Sequence, residues 1–164
     1  MLSLDNAKNA FSYDAQTGVL LRSKSGHGYL AGLPAGTIRP DGRCRISYEG
    51  KFYYAHHIAW LLMTGEWPPE SIDHKDGNPG NNAWDNLRLA SHSQNMQNLA
   101  GHKDSTSRFP GVSFHAKLKK WRARLTLNRR KVHDSVHDTE SEAFAAYCGA
   151  KAKYHDFNPV PRVA

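Results

Sequence analysis

Residues 70–90, ESIDHKDGNPGNNAWDNLRLA, constrain the fold of this chain more than any other stretch. In DGNPGNN every residue is Gly, Pro, Asn or Asp. These residues build turns, because Gly accepts positive φ, Pro fixes φ, and Asn and Asp side chains bond backbone N–H groups two residues on. The flanking runs SIDH and NLRLA suit short strands. The expected order is strand, long loop, strand, with Asp73 and His74 at the end of the first strand. SHSQ follows as a capping box, Ser91 with Gln94, opening a helix through NMQNL that carries Asn95 in its first turns.

These residue types together suit one kind of chemistry. A carboxylate and an amide oxygen are hard ligands for Mg²⁺ or Mn²⁺ and poor ones for zinc. An imidazole beside such an ion can take a proton from water. The combination is a minimal hydrolytic site for a phosphodiester. A calcium loop fails on register: with Gly77 sixth, Ile72 is first and Ala83 twelfth, and neither side chain can coordinate calcium. Spacing alone leaves open a plain turn-rich connection with His74 as a surface histidine.

The charge of the chain is placed unevenly. Residues 1–100 carry nine Lys or Arg against nine Asp or Glu, and residues 101–164 carry thirteen against six, so the formal excess of +7 lies in the C-terminal part. Between Lys103 and Lys131 there are ten basic residues and one acid, Asp104. Such asymmetry points to a polyanionic partner. The longest apolar run, Ile58 to Met63, is too short to cross a bilayer, and no apolar h-region follows the early charges, so neither a membrane span nor a secretory signal is expected. Cys44 and Cys148 lack a CxxC spacing, which argues against a disulfide scaffold and a structural zinc site.

Residues 1–54 hold short extended runs, YDAQTGVLLR, RCRISY and KFYYA, between Gly and Pro turns, and read as a β-rich module. Arg22, Lys24, Arg39, Arg43 and Arg45 there are candidates for extra contacts to that polyanionic partner or for bracing the fold. HIAWLLMTG reads as a helix capped by Gly65, and Pro68 and Pro69 forbid its continuation. SFHAK, WRARLTLN and KVHDSVH alternate with period two, as in a three-stranded antiparallel meander. Trp121, Ala123, Leu125 and Leu127 fall on one face, with Arg122, Arg124 and Thr126 on the other. TESE gives a second capping box, Thr139 with Glu142, opening a helix to about Tyr154 whose apolar residues Ala143, Phe144, Tyr147, Ala150 and Tyr154 recur at helical spacing.

AHHIAWLLMTGEWPPESIDHKDGNPGNNAWDNLRLASHSQNMQN, about residues 54–98, resembles the HNH endonuclease motif of phage and intron homing nucleases. The resemblance implies a ββα-metal fold over residues 55–100. In it His74 is the general base, Asp73 and Asn95 hold one Mg²⁺ or Mn²⁺ ion per site, and Asn86 bonds within the loop so that His74 is oriented. Asn95 stands where many members have histidine, which makes the site oxygen-ligated. His56 matches a histidine on the family's preceding helix, His57 stands where relatives carry arginine, and His92 lies near Asn95; all three are second-tier candidates.

Residues 105–158 resemble the AP2 DNA-binding domain through GVS, KWRARL and TESEAFAAYCGAKAKYH. That resemblance implies a sheet in the major groove. Ser113, His115, Arg122, Arg124 and Thr126 would face the bases, with Lys117, Lys119, Arg129, Arg130 and Lys131 on phosphates. Ser113 and His115 replace arginines of the plant factors, so their base preference does not transfer. The expected protein is thus α+β in three parts: a module over 1–54, a nuclease core over 55–100 and an AP2-like domain over 101–164. It is read as a metal-dependent HNH DNA endonuclease that nicks one strand per monomer, acting on double-stranded DNA in the cytoplasm of a bacterial host, with no obligatory protein partner. The rival reading is an inactive DNA-binding regulator using the same basic domain. An RNA-directed module ranks below both, for lack of aromatic stacking signatures.

Overall fold

The computed structural model describes residues 1–26, 28–91, 94, 95, 106–155 and 157. It divides into two compact units, Met1–Ser91 and His92–Ala164, each with both helix and strand.

In the first unit the chain opens with α1 (Leu4–Ala10), where the Ser3 hydroxyl accepts the N–H of Asn6. A β-rich reading of residues 1–54 omits this helix. Seven residues are marginal as a helix on their own, and this one is held by Leu2 and Ala7 in a core shared with later elements. Strands β1 (Phe11–Tyr13) and β2 (Leu20–Arg22) form a hairpin. Strands β3 (Thr37–Ile38), β4 (Cys44–Tyr48) and β5 (Lys51–Tyr54) form an antiparallel sheet in that order. Alternation buries Ile46 completely while its neighbour Ser47 is exposed.

Helix α2 (Ala55–Thr64) ends at Gly65 in the left-handed conformation, as the Gly-then-Pro sequence predicts. Ala55, Ile58 and Leu61, spaced three apart, pack with Leu2, Ala7, Phe11, Leu20, Ala35 and Ile46. On its other side Ala59 packs with Ile72 and Leu87. One helix therefore joins the N-terminal core to the hairpin of β6 (Ser71–His74) and β7 (Leu87–Ala90). Residues on both sides of the division expected at 54 and 55 contribute to one core. Arg22 is also inward rather than presented to a ligand. It is buried, donates from Nη2 to the Ser47 carbonyl at 3.0 Å and lies 4.1 Å from the Tyr29 ring centroid.

The second unit contains β8 (Val112–His115), β9 (Lys120–Leu127) and β10 (Arg130–His137) in an antiparallel meander, followed by α3 (Glu140–Tyr154). Val112, Ala123 and Leu125 from the sheet pack with Ala143, Tyr147 and Ala150 from the helix. Asn128 and Arg129, both at positive φ, form the tight turn between β9 and β10. The capping box at Thr139 and Glu142 is complete in both directions. A Thr139→Ala variant should lose about 1 kcal/mol of stability, read as a lower urea midpoint in the unfolding of the C-terminal helix; an unchanged midpoint would show that the cap contributes nothing.

Candidate active site

Asp73 and His74 close strand β6, and the register places Asp73 opposite Arg88 and His74 opposite Leu87. The loop from Lys75 to Asn86 is organised by its own side chains. The Asp76 carboxylate accepts the Asn78 N–H at 2.8 Å and the Asn81 Nδ2 at 2.7 Å. The Asn78 side chain accepts the Gly80 N–H at 3.0 Å. Asn86 locks this loop to the hairpin: its Oδ1 accepts the Asp76 N–H, and its Nδ2 donates to Asp76 Oδ1, both at 3.0 Å, and to the Asn81 carbonyl at 2.8 Å. Burial pushes the Asp76 carboxyl up, but the bonds from Asn81, Asn78 and Asn86 outweigh it and hold the group below its ordinary value.

His74 is buried, and its Nε2 lies 3.1 Å from the Oδ1 of Asn82, itself 4% exposed. The His56 ring meets His74 edge-on with centroids 5.2 Å apart, and Tyr54 stacks on His56 at 5.5 Å. His56 is buried, and its Nδ1 has no hydrogen-bond partner among the described residues. Burial, with smaller contributions from His57, His74 and Arg43, pushes its pKa down to about 3, so it is a neutral packing ring. His57 is half-buried at the His56 and Trp67 rings, and burial lowers its pKa as well. Its surroundings are those of a packed ring rather than an exposed phosphate contact.

Asp73 is not a solitary carboxylate. Its Oδ2 accepts Nε and Nη2 of Arg88 at 3.0 and 2.8 Å, with both side chains largely shielded. Residue spacing did not flag Arg88, although counting the hairpin register places it across from Asp73. Asn82 was likewise missed inside a run of turn residues. Asn95 is helical and half-buried, in the second unit. His92 lies outside the described residues, as does the remainder of the helix expected through NMQNL. Among the described residues no group of three or more His, Cys, Asp or Glu side chains could hold a metal ion. The donors to be tested are therefore a carboxylate and an amide, whose oxygens match a hard cation that keeps phosphate or water in its remaining positions.

On the meander, Ser113 pairs with Arg122 and His115 with Lys120, while Arg124 pairs with Asp134 and Thr126 with Lys131. This outer face holds the side chains expected to read bases, with Ala123 and Leu125 buried on the inner one. It is not uniformly basic. Asp134 binds Arg122 through two hydrogen bonds and has Arg124 and Lys131 each at 3.7 Å. Arg122, then the other two cations, pull the Asp134 carboxyl down to about 2. The face that carries Arg122 and Arg124 is thus partly neutralised by an acid from the neighbouring strand. Lys119 and Arg129 lie in the turns, both at positive φ, and Lys117, Arg130 and Lys131 are exposed.

A family model described as HNH endonuclease matches residues 53–97, the stretch that includes α2, the hairpin and Asn95. Protein 3.8 of Escherichia phage T7 is 41% identical over 86 residues, half of this chain and 70% of the phage protein. This chain carries an HNH endonuclease domain and belongs to the family of protein 3.8. A solved structure of DNA binding and cleavage by the HNH homing endonuclease I-HmuI aligns with a TM-score of 0.43 at 25% identity, covering 58% of this chain and 54% of that one. The matched segment contains the β6–β7 hairpin with Asp73 and His74, and Asn86 at the end of the loop between the two strands. No helix among the described residues is long and apolar enough to cross a membrane.

The buried neutral His56 gives the HNH domain a pH signature. Its folded pKa lies below the unfolded value of about 6.5, so as pH falls below 6.5 the unfolded chain takes up a proton that the folded chain refuses. Stability should fall as pH is lowered from 7 toward 4, and a His56→Phe variant should show a shallower fall by thermal denaturation. Parallel curves for the two proteins would mean that His56 is not held neutral.

Proposed function

We propose that this protein is a metal-dependent DNA endonuclease of the HNH type, using His74 as general base and directed to double-stranded DNA by its basic C-terminal sheet. The observation that carries the reading is the buried His74 at a strand end beside Asp73, within the segment matched by the HNH family. His74 takes a proton from the attacking water, and Asn86 holds the loop that confines it. Asp73 and Asn95 would hold one Mg²⁺ or Mn²⁺ ion. When bound, such an ion supplies charge stabilisation for the phosphate and the leaving oxygen. The products would be a 5′-phosphate and a 3′-hydroxyl, with one strand nicked per monomer.

In the AP2-like reading of residues 101–164, Ser113, His115, Arg122, Arg124 and Thr126 contact base edges, and Lys117, Lys119, Arg129, Arg130 and Lys131 contact phosphates. Asp134 supports the reading by orienting Arg122 and Arg124 on one face before DNA arrives. A hydrolytic site with few ligands chooses sequence poorly, and tethering it to a DNA-binding sheet supplies both choice and local concentration.

One observation favours the rival reading, a DNA-binding protein that does not cut: the Arg88 guanidinium already occupies Oδ2 of Asp73. Supercoiled plasmid incubated with Mg²⁺, Mn²⁺ or EDTA separates the two readings. Relaxed circles are expected with either ion and none with EDTA. His74→Ala should lower nicking by at least about a hundredfold, the scale of general base catalysis, while plasmid affinity stays within twofold. Tight binding with no relaxed product from the parent protein in either ion would leave the regulator as the answer. Arg124→Ala should weaken binding and flatten its salt dependence; unchanged binding across salt would remove the sheet from the interface.

A further inference from the structure

We infer that Asn82 is the positioning residue for His74, and that the β1–β2 hairpin at the start of the chain holds Asn82 in place. The inference rests on His74 being the base of the proposed nuclease, but its geometry can be tested without catalysis.

Asn82 is almost fully buried and uses every polar group of its side chain. Its Nδ2 donates to the Gly80 carbonyl at 3.3 Å. A carbonyl can only accept, so the amide nitrogen points to Gly80 and the amide oxygen faces the imidazole. Oδ1 can only accept from Nε2 of His74 at 3.1 Å. The neutral ring is therefore the Nε2–H tautomer, with the lone pair on Nδ1. A general base needs its lone pair on the nitrogen that meets water, and the wrong tautomer disables it even when geometry is intact.

The backbone of Asn82 is held by a distant part of the chain. The Tyr13 hydroxyl on β1 donates to the Asn82 carbonyl at 2.7 Å, across 69 residues of sequence. Burial, helped by the nearby Asp14 charge, pushes the Tyr13 pKa up to about 12, so the phenol remains a donor. Beyond Tyr13, the Trp84 N–H donates to the Ala15 carbonyl at 2.8 Å. The turn at Gly18 presses on the same loop segment: a Cβ at this glycine would lie 2.2 Å from both the Asn82 carbonyl carbon and the Ala83 nitrogen. Gly18 also has a φ of +74°, and the turn is shaped by Asp14, which accepts from Gln16 and from the Thr17 hydroxyl. Tyr13, Ala15 and Gly18 thus form a clamp around residues 82–84. A segment with no chemistry of its own becomes a support for the base.

The test uses the full chain labelled with ¹⁵N-histidine, reading the His74 ring nitrogens by NMR, together with single-turnover nicking and DNA affinity. The parent should show the Nε2–H tautomer. Asn82→Leu should lose that single tautomer and lower the nicking rate about tenfold or more, the usual scale for a lost orienting partner, with DNA affinity within twofold. Asn82→Asp retains an acceptor and should keep the tautomer. Tyr13→Phe, which removes one hydroxyl, should lower the rate by a smaller factor at unchanged affinity. Should Asn82→Leu fail to fold, seen as collapsed amide dispersion, the parent, Asn82→Asp and Tyr13→Phe decide the matter. An Nδ1–H tautomer in the parent, or Asn82→Leu and Tyr13→Phe indistinguishable from it in tautomer and rate, overturns the inference. A parent that never nicks yet shows the Nε2–H tautomer, lost in Asn82→Leu, overturns the nuclease reading and leaves the positioning contact standing.

Discussion

The reciprocal bonding between Asn86 and Asp76 is the contact on which the candidate site depends. Apart from Trp84, which packs on the Ala59, Ile72 and Leu87 cluster, the loop has little apolar surface to bury, and ordering its backbone costs conformational entropy that polar contacts must offset. One amide that both accepts from the Asp76 backbone and donates to the Asp76 carboxylate ties the loop to the foot of β7. The same amide reaches the Asn81 carbonyl, one residue before Asn82. Since Asn82 faces His74, the constraint passes from strand to loop to imidazole through hydrogen bonds between uncharged or singly charged groups. Such a network responds weakly to salt.

Charge is handled differently in the two units. In the hairpin a shielded ion pair joins Asp73 and Arg88 across two strands, where partial desolvation strengthens the attraction and also raises the cost of removing either partner. In the proposed site, a cation drawn to the same carboxylate would compete with or share that guanidinium. On the C-terminal meander Asp134 serves three cations at an exposed surface, where the net energy is small and the principal effect is on orientation. An arginine already aligned by a carboxylate loses less side-chain entropy when it meets a phosphate or a base edge.

Helix α2 explains why the N-terminal module and the hairpin behave as one body. Its Ala55, Ile58 and Leu61 belong to the N-terminal core, and Ala59 belongs to the hairpin cluster. Small residues at 55 and 59 allow both layers to approach the helix closely. His56, on the same helix, lends the His74 ring an apolar neighbour that carries no charge near neutral pH.

Local signals made much of this legible. The turn chemistry of DGNPGNN placed the hairpin, Gly65 and the two prolines placed the end of α2, the period-two alternation of WRARLTL separated Ala123 and Leu125 from Arg122 and Arg124, and Thr139 with Glu142 placed α3. These features depend on backbone preferences and on neighbours within a few residues, which a chain carries wherever it folds. Helix α1 was not legible, because seven residues have too little intrinsic stability to announce themselves. The inward turn of Arg22, the Arg88 partner of Asp73 and the acid within the basic sheet depend on which strands pair and in what register. The clamp of Tyr13 on Asn82 spans 69 residues, and no local preference encodes a contact at that range. By itself the sequence determined most of the elements beyond α1; tertiary structure alone decided which polar groups meet, because burial makes most of them find a partner and the partner can come from anywhere in the chain.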